Sequence, residues 1–218
     1  MWKIFHVGDA NPISLRAISP KGRTAELRPK NITLTAAAYP CVEERKRAFE
    51  RHAIELNDGG YNAYIVMNAI SPLFDGCDRD RPGVRDNDIV ARHLLLIDLD
   101  RRDALVAPAT DDEVIAATDA AKRIESFLYT RLGVRPFRLM SGNGVHLYLP
   151  LASLPNTTET TARCQRMLTA LGRQFNTDQV KVDTAVYNAA RITKVPGTIA
   201  RRGEESAGRA YRMAQVIS

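Results

Sequence analysis

The run LLLIDLD, Leu94 to Asp100, is a hydrophobic stretch closed by two carboxylates. On an extended strand, Asp98 and Asp100 share one face, about 6.6 Å apart at roughly 3.3 Å per residue. Converging carboxylates repel unless a cation sits between them, and hard oxygen donors suit Mg²⁺ or Mn²⁺. The pair fits equally an acidic strand end whose carboxylates cap nearby backbone. Asp183 closes a second run of the same form, QVKVD, and by itself also reads as a turn residue. Together the three carboxylates suffice to hold two ions about 3.5–4 Å apart, the clamp used for in-line phosphoryl transfer.

Groups that suit a polyphosphate stand nearby in sequence. SGNGVHLYLP, Ser141 to Pro150, begins with Ser141, Gly142 and Gly144, small residues whose backbone N–H groups can approach phosphate oxygens at a tight turn. His146 and Tyr148 follow on one strand face. A lone strand histidine commonly serves structure; its placement beside the acidic strand is what favours contact with a triphosphate. Arg191 and Lys194, soon after Asp183, can neutralise phosphate charge, though each also reads as plain surface charge. Arg101 and Arg102 either steer a nucleic-acid phosphate or balance the charge of their loop. Arg201, Arg202, Arg209 and Arg212 add basic surface able to track a nucleic-acid backbone.

The elements that must carry these residues follow from periodicity. ISLRAI (13–18) and NITLTA (31–36) alternate as strands. Val42, Phe49, Ala53 and Leu56 recur at helical spacing before the stop at Asn57-Asp58-Gly59-Gly60. Tyr61 to Asn68 reads as a strand. Residues 71–90 read as a long polar loop whose Asp75, Asp78, Asp80, Asp86 and Asp88 lack the closing Glu of a calcium loop. After the Leu94 strand, Thr110 and Glu113 form a capping box opening a helix striped by Val114, Ala117, Ala121, Ile124 and Leu128, with Gly133 as its stop. Phe137–Ser141 and Val145–Leu151 are strands joined at Asn143-Gly144, a hairpin signal. Asn156 with Glu159 caps a second helix striped by Cys164, Met167, Leu168, Leu171 and Phe175, and Gln179–Asp183 is the last strand.

The order is β-α-β-β-α-β, the split βαβ pattern of an RRM-like antiparallel sheet. The expected class is α+β: residues 1–90 form an N-terminal αβ module and connecting loop, and residues 91–218 form the RRM-like catalytic module, the two making one domain. In this topology the Leu94 strand lies beside the His146 strand, and one sheet face stays open for a ligand.

Bulk composition narrows the class. A net charge of +6 favours polyanionic partners, while also fitting a solvated basic surface. The three cysteines, Cys41, Cys77 and Cys164, form no CxxC pair, which argues against a zinc knuckle or a disulfide framework and for a reducing, cytoplasmic location. No apolar run approaches the roughly 20 residues that span a bilayer, so no membrane partner is expected.

The motifs resemble those of the archaeo-eukaryotic primase superfamily, especially its plasmid- and phage-type primases and primase-polymerases. The carriers are Ile97-Asp98-Leu99-Asp100, Ser141-Gly142-Asn143-Gly144-Val145-His146, and Val182-Asp183 followed by the basic stretch Arg191 to Thr198. They cover about residues 90–200. The resemblance implies a DNA primase or primase-polymerase that makes or extends primers on a single-stranded template. Asp98, Asp100 and Asp183 would carry two Mg²⁺ or Mn²⁺ ions. Ser141, His146 and Arg191, with Lys194, would hold the (d)NTP. Template and primer strands are the implied partners. A replicative helicase would act in cis or in trans, since this chain has no Walker A motif.

Other RRM-palm nucleotidyltransferases and cyclases also use paired Asp, but the His146 motif speaks against them. A HUH endonuclease needs two histidines where only His146-Leu147-Tyr148 stands. A non-catalytic RRM would offer stacking aromatics on its central strands; here those strands offer acids, with Tyr148 the one central aromatic. A Rossmann dehydrogenase lacks its GxGxxG.

Overall fold

The computed structural model describes residues 1–5, 7–22, 27–76, 83–103 and 105–217. The chain begins with β1 (Ile13–Ile18), β2 (Lys30–Leu34), α1 (Val42–Asp58) and β3 (Asn62–Val66), close to the spans the periodicity predicts. Ala48, Phe49 and Ala53 form the buried stripe of α1. Next come β4 (Ala69–Ile70) and β5 (Ile89–Arg101). The stretch read as loop through residue 90 ends earlier: Asp86–Asp88 make one 3₁₀ turn and Ile89 already starts β5. Cys77, Asp78 and Asp80 lie outside the described residues.

Helix α2 (Asp111–Leu132) starts and stops as its sequence signals require. Thr110 Oγ1 accepts from the Glu113 N–H at 3.2 Å, and Glu113 Oε2 accepts from the Thr110 N–H at 2.8 Å. Gly133 ends it at φ 67°, a left-handed conformation that glycine adopts without a Cβ penalty. Then follow β6 (Phe137–Met140), β7 (Val145–Pro155) and α3 (Thr158–Phe175). The N-cap of α3 is Thr157, whose Oγ1 accepts from the Thr160 N–H, and not Asn156. The Asn156 amide instead donates to the carbonyls of Asp86 and Ile89, tying the start of β5 to the end of β7. The chain closes with β8 (Val180–Val182), β9 (Ile192–Lys194), β10 (Ile199–Ala200), β11 (Arg212–Met213) and β12 (Gln215–Ile217).

Two antiparallel sheets result, giving an α+β fold. The first has the order β2-β1-β3-β9; the second runs β12-β6-β7-β5, with β4 and β8 pairing opposite ends of β5. Strand β5 therefore lies between β7 and β8, so the Leu94 and His146 strands are direct neighbours. Strands β10 and β11 form a separate pair.

A division at residues 90/91 does not separate the sheets. Residues 192–194 complete the first sheet by pairing with β3, and Ala69–Ile70 pair with β5 in the second. Each exchange gives backbone partners to an edge that would otherwise stay open. Leu15, Phe49 and Ile65 of the first unit share one continuous core with Ile97, Leu147 and Leu168 of the second.

Alternation on β5 decides what faces where. Leu95, Ile97 and Leu99 are at most 2% exposed and lie on the face covered by α2 and α3, which pack against one another. Leu94, Leu96, Asp98 and Asp100 point the other way. That face is not open along its length. Leu96 and Tyr148 are 2% and 0% exposed, and Phe5 meets the Tyr148 ring edge-on at 5.5 Å between centroids. Burial of apolar area by the N-terminal residues covers the sheet up to Asp98, so Tyr148 presents no surface for base stacking and only the acidic end stays accessible.

Candidate active site

Register sets the centre of the site. Asp98 lies directly opposite His146 across the β5–β7 ladder, and Asp100 lies opposite Lys181 across β5–β8. The Asp183 N–H donates to the Asp98 carbonyl at 2.8 Å, so the two acid-terminated strands finish side by side. His146 Nε2 is 3.4 Å from Asp98 Oδ1. The other ring nitrogen, Nδ1, is 3.0 Å from Thr193 Oγ1, which is in turn 2.7 Å from the Tyr148 hydroxyl. This chain of contacts fixes the imidazole plane.

The β6–β7 turn sits against the same carboxylates. It is a four-residue loop closed by the Ser141 N–H donating to the Gly144 carbonyl at 2.9 Å. The positive φ that Asn143 and Gly144 suggested is found at Gly142 instead, at 103°. A four-residue loop does not place its central pair where a two-residue hairpin would. A Cβ on Gly142 would strike Ala200, and one on Gly144 would strike the Leu99 carbonyl and the Asp100 carboxylate. Both glycines therefore let the loop approach neighbouring backbone closely.

A cavity of about 390 Å³ opens where the outer face of the first sheet meets the acidic end of β5 and β7. Asp98, Asp100, Ser141 and His146 line one side, and Asn62, Tyr64, Thr193 and Lys194 the other; Lys21, Arg191, Arg201 and Arg202 add cations. Of the residues expected from sequence, Asp98, Asp100, Ser141, His146, Arg191 and Lys194 meet in this wall. Asp183, Gly142 and Gly144 are not part of it. Asp183 Oδ1 accepts from the Ala185 N–H at 2.8 Å, while its charge still acts on Asp98 and Asp100.

The charges are poorly matched within the protein itself. Burial, then the Asp183 charge, pushes the Asp98 carboxyl up to about 7, and burial, then Asp98, does the same to Asp100. Burial holds His146 down at about 4, so the ring is neutral at pH 7. Burial also lowers Lys194 to about 7; its Nζ donates to Asn62 Oδ1 and the Ile199 carbonyl and lies 5.5 Å from the centre of the Tyr64 ring. Among the described residues, Asp98 Oδ1, Arg191 Nε and Arg202 Nε are buried without a hydrogen-bond partner, the His146 Nε2 approach to Asp98 being a contact and not a hydrogen bond. Unpaired buried polar atoms are costly, and these have opposite signs in one cavity. A cation held by the carboxylates together with an anion held by the arginines would satisfy both.

Among the described residues no three His, Cys, Asp or Glu side chains are already gathered as a metal-ligand group. The fit to a divalent cation rests on the orphaned Asp98 oxygen and on the raised Asp98 and Asp100 carboxyls. Both are relieved by added positive charge.

The basic residues flanking the motifs divide in two. Arg101 faces away from the cavity and is 6% exposed; it pairs with Asp103 at 2.9 Å and Glu113 at 3.2 Å and donates to the carbonyls of Leu105 and Ala107. Arg102 donates to the Thr177 carbonyl. Arg209 binds Glu113 and Arg212 binds Asp111 at the start of α2. These side chains hold loops; Arg201 and Arg202 alone of the basic tail reach the cavity. Asn62, Tyr64 and Thr193 escaped the sequence reading because nothing local marks them. Only pairing of β3 with β9 brings them to the acids.

No protein-family model matches the sequence, and no curated protein matches it. Among solved structures the chain is similar to the AEP domain of the cyanophage S-2L primase-polymerase, with 17% identity and a TM-score of 0.56 over 100% of this chain and 85% of that one. It is also similar to the polymerase domain of Mycobacterium tuberculosis ligase D, solved in complex with DNA, with 15% identity and a TM-score of 0.47 over 94% and 74%. The first likeness shows that the chain shares the overall fold of that domain. No helix among the described residues is long and apolar enough to cross a membrane.

Proposed function

We propose that the chain is a DNA-directed nucleotidyltransferase that makes or extends primers on single-stranded DNA, working in the cytoplasm through an RRM-like palm formed by β5 to β8. The observation that carries the reading is the buried Asp98–Asp100 carboxylate pair, with Asp98 Oδ1 lacking a hydrogen bond, in one cavity with Arg191 and Arg202, whose Nε groups lack an acceptor among the described residues. The shared fold with a primase-polymerase domain supports it.

Asp98 and Asp100, joined by Asp183, would hold two Mg²⁺ or Mn²⁺ ions. Bound there, the cations supply Lewis-acid stabilisation of the charge that builds on the α-phosphate. Arg191, Arg202 and Lys194 take the charge of the (d)NTP polyphosphate, and the arginines can do so through two parallel N–H contacts. His146 stays neutral, and its Nε2 faces the region between Asp98 and the substrate, set by Thr193 at Nδ1. Ser141 adds a small polar group beside it, and Gly142 and Gly144 keep the turn narrow enough for phosphate oxygens to reach its backbone. The 3′-hydroxyl of a primer or initiating nucleotide attacks the α-phosphorus, one P–O bond forms, the bond from that phosphorus to the α–β bridging oxygen breaks, pyrophosphate leaves, and the hydroxyl proton passes to solvent. Template, primer and nucleotide are the required partners, and a helicase in cis or in trans is compatible.

The direct test is nucleotide incorporation, with and without primer, on single-stranded templates in Mg²⁺ or Mn²⁺. Activity in the wild type and its loss in Asp98→Ala/Asp100→Ala is the expected result. A protein that binds DNA and never incorporates a nucleotide would instead be a strand-binding module.

A further inference from the structure

The outer face of the first sheet continues beyond the acidic cavity. Directly opposed residues on paired strands point to the same side. The register opposes Asn31 with Arg16, Arg16 with Tyr64, and Tyr64 with Lys194. These four side chains form one row across all four strands. Its Tyr64–Lys194 end lies in the wall of the acidic cavity, and its Arg16–Asn31 end opens into a second cavity of about 380 Å³. Arg191 lines both. At about 4.8 Å per strand, Arg16 stands about 10 Å from Lys194.

The second cavity is built for an anion. Among the described residues, Arg16, Arg85 and Arg191 line it against one carboxylate, Asp86. Asp86 Oδ1 is already occupied, accepting from Asn188 Nδ2 at 3.2 Å and the Ala190 N–H at 2.7 Å. Among the described residues, Arg16 Nε and Arg191 Nε are buried with no acceptor, and Asn31 Oδ1 with no donor. Buried guanidinium N–H groups without acceptors cost stability, and neighbouring guanidinium groups repel. A ligand with several oxygens and negative charge removes both costs, and the planar guanidinium fork matches phosphate.

We infer that Arg16 and Arg85 form a second phosphate subsite, to which Asn31 adds only its amide N–H group because a phosphodiester has no hydrogen to give Asn31 Oδ1, and that it takes a phosphate of a nucleic-acid strand laid along the row from Lys194 to Asn31. The inference rests on the nucleotidyltransferase reading of the first cavity. At about 3.4 Å of axial rise per stacked nucleotide, the 10 Å step is about three nucleotides of strand. The bound group is either a backbone phosphodiester or a terminal phosphate; their recognition chemistry is the same.

The test measures binding by the full chain of a single-stranded oligonucleotide, 5′-hydroxyl or 5′-phosphorylated, over a salt series without catalysis. Arg16→Ala and Arg85→Ala should each weaken binding about 5–20-fold, and the log–log salt slope should fall by about 0.7 per lost contact. Affinity for a free nucleotide should stay within about twofold of wild type, and Arg16→Lys should recover part of the loss. A loss seen with both oligonucleotides assigns a backbone phosphate; a loss confined to the phosphorylated one assigns a terminal phosphate. Asn31→Asp, which truncates nothing, should repel the strand and guards against a folding defect in the alanine variants. Unchanged affinity for both oligonucleotides overturns the subsite, even if inorganic pyrophosphate binds there. So does a parallel loss of nucleotide affinity, which would make the cavity part of the nucleotide site. Strand binding through Arg16 in a protein that never incorporates a nucleotide would sink the enzymatic reading and leave the subsite standing.

Discussion

Asp98 and His146 oppose each other across neighbouring antiparallel strands, with His146 Nε2 3.4 Å from Asp98 Oδ1 while the ring stays neutral at pH 7. A neutral imidazole adds no charge to the partial compensation that Arg191, Arg202 and Lys181 give Asp98, whose carboxyl stays raised to about 7, and the site keeps its demand for a cation.

That demand gives a first outcome. Mg²⁺ or Mn²⁺ should raise the melting temperature of the wild-type protein. At 100 times the dissociation constant, linkage supplies about 2.7 kcal/mol, a rise of about 5–10 °C for a chain of this size. Asp98→Asn should abolish most of that rise in a thermal-shift titration. An equal rise in the variant would place the cation elsewhere.

Stability should also follow pH in a definite direction. Asp98 and Asp100 each have a folded value near 7, above the ordinary carboxylate value of 3.8. Each therefore contributes stability that is fully present below about 3.8 and is lost as pH rises through 7. His146 works the other way: its folded value near 4 lies below 6.5, and its contribution is lost as pH falls through that interval. Two carboxylates outweigh one histidine, so the contribution of this trio without divalent cation should decline from pH 4 to 7. Replacing His146 by Gln removes the opposing contribution and should steepen the decline, read by urea midpoints across that range. A slope unchanged in both Asp98→Asn and His146→Gln would refute the assignment.

If the proposed reaction holds, Thr193, 3.0 Å from His146 Nδ1, is a positioning residue that acts through that ring. Removing its hydroxyl in Thr193→Val leaves Nδ1 only the longer 3.3 Å contact with the Tyr148 hydroxyl and should lower kcat about tenfold, the equivalent of about 1.4 kcal/mol, with KM for nucleotide nearly unchanged. Thr193→Ser keeps the hydroxyl and should restore most of the rate. A purely structural role would show instead as lost stability without that rescue.

Arg101 belongs to the fold and not to the chemistry. Arg101→Ala strips Glu113 and Asp103 of a buried partner and leaves the Leu105 and Ala107 carbonyls unsatisfied. Glu113 keeps Arg209 and Asp103 is exposed, so a loss of about 1–3 kcal/mol, from the unsatisfied carbonyls, is expected in urea unfolding, while the cation-induced rise in melting temperature of the folded variant should match wild type. Loss of that rise would bring Arg101 into the site.

The neighbouring Arg101 and Asp100 show where local sequence stops being informative. The run LLLIDLDR fixes a strand and, by its period of two, puts Asp98 and Asp100 together and Arg101 on the opposite side. The capping box at Thr110 and Glu113 and the stop at Gly133 were equally legible, because helix ends are decided by bonds between residues three or four apart. So was the adjacency of β5 and β7, since few topologies accommodate this order of elements. Tertiary structure alone decided the rest. Sheet pairing brought Tyr64, Thr193 and Lys194 against the acids from residues far apart in sequence, and the register of one sheet placed Arg16 in line with Lys194. Packing of Phe5 on Tyr148 closed the face that looked open. Such contacts depend on how whole sheets meet, and no local pattern of residue types encodes that.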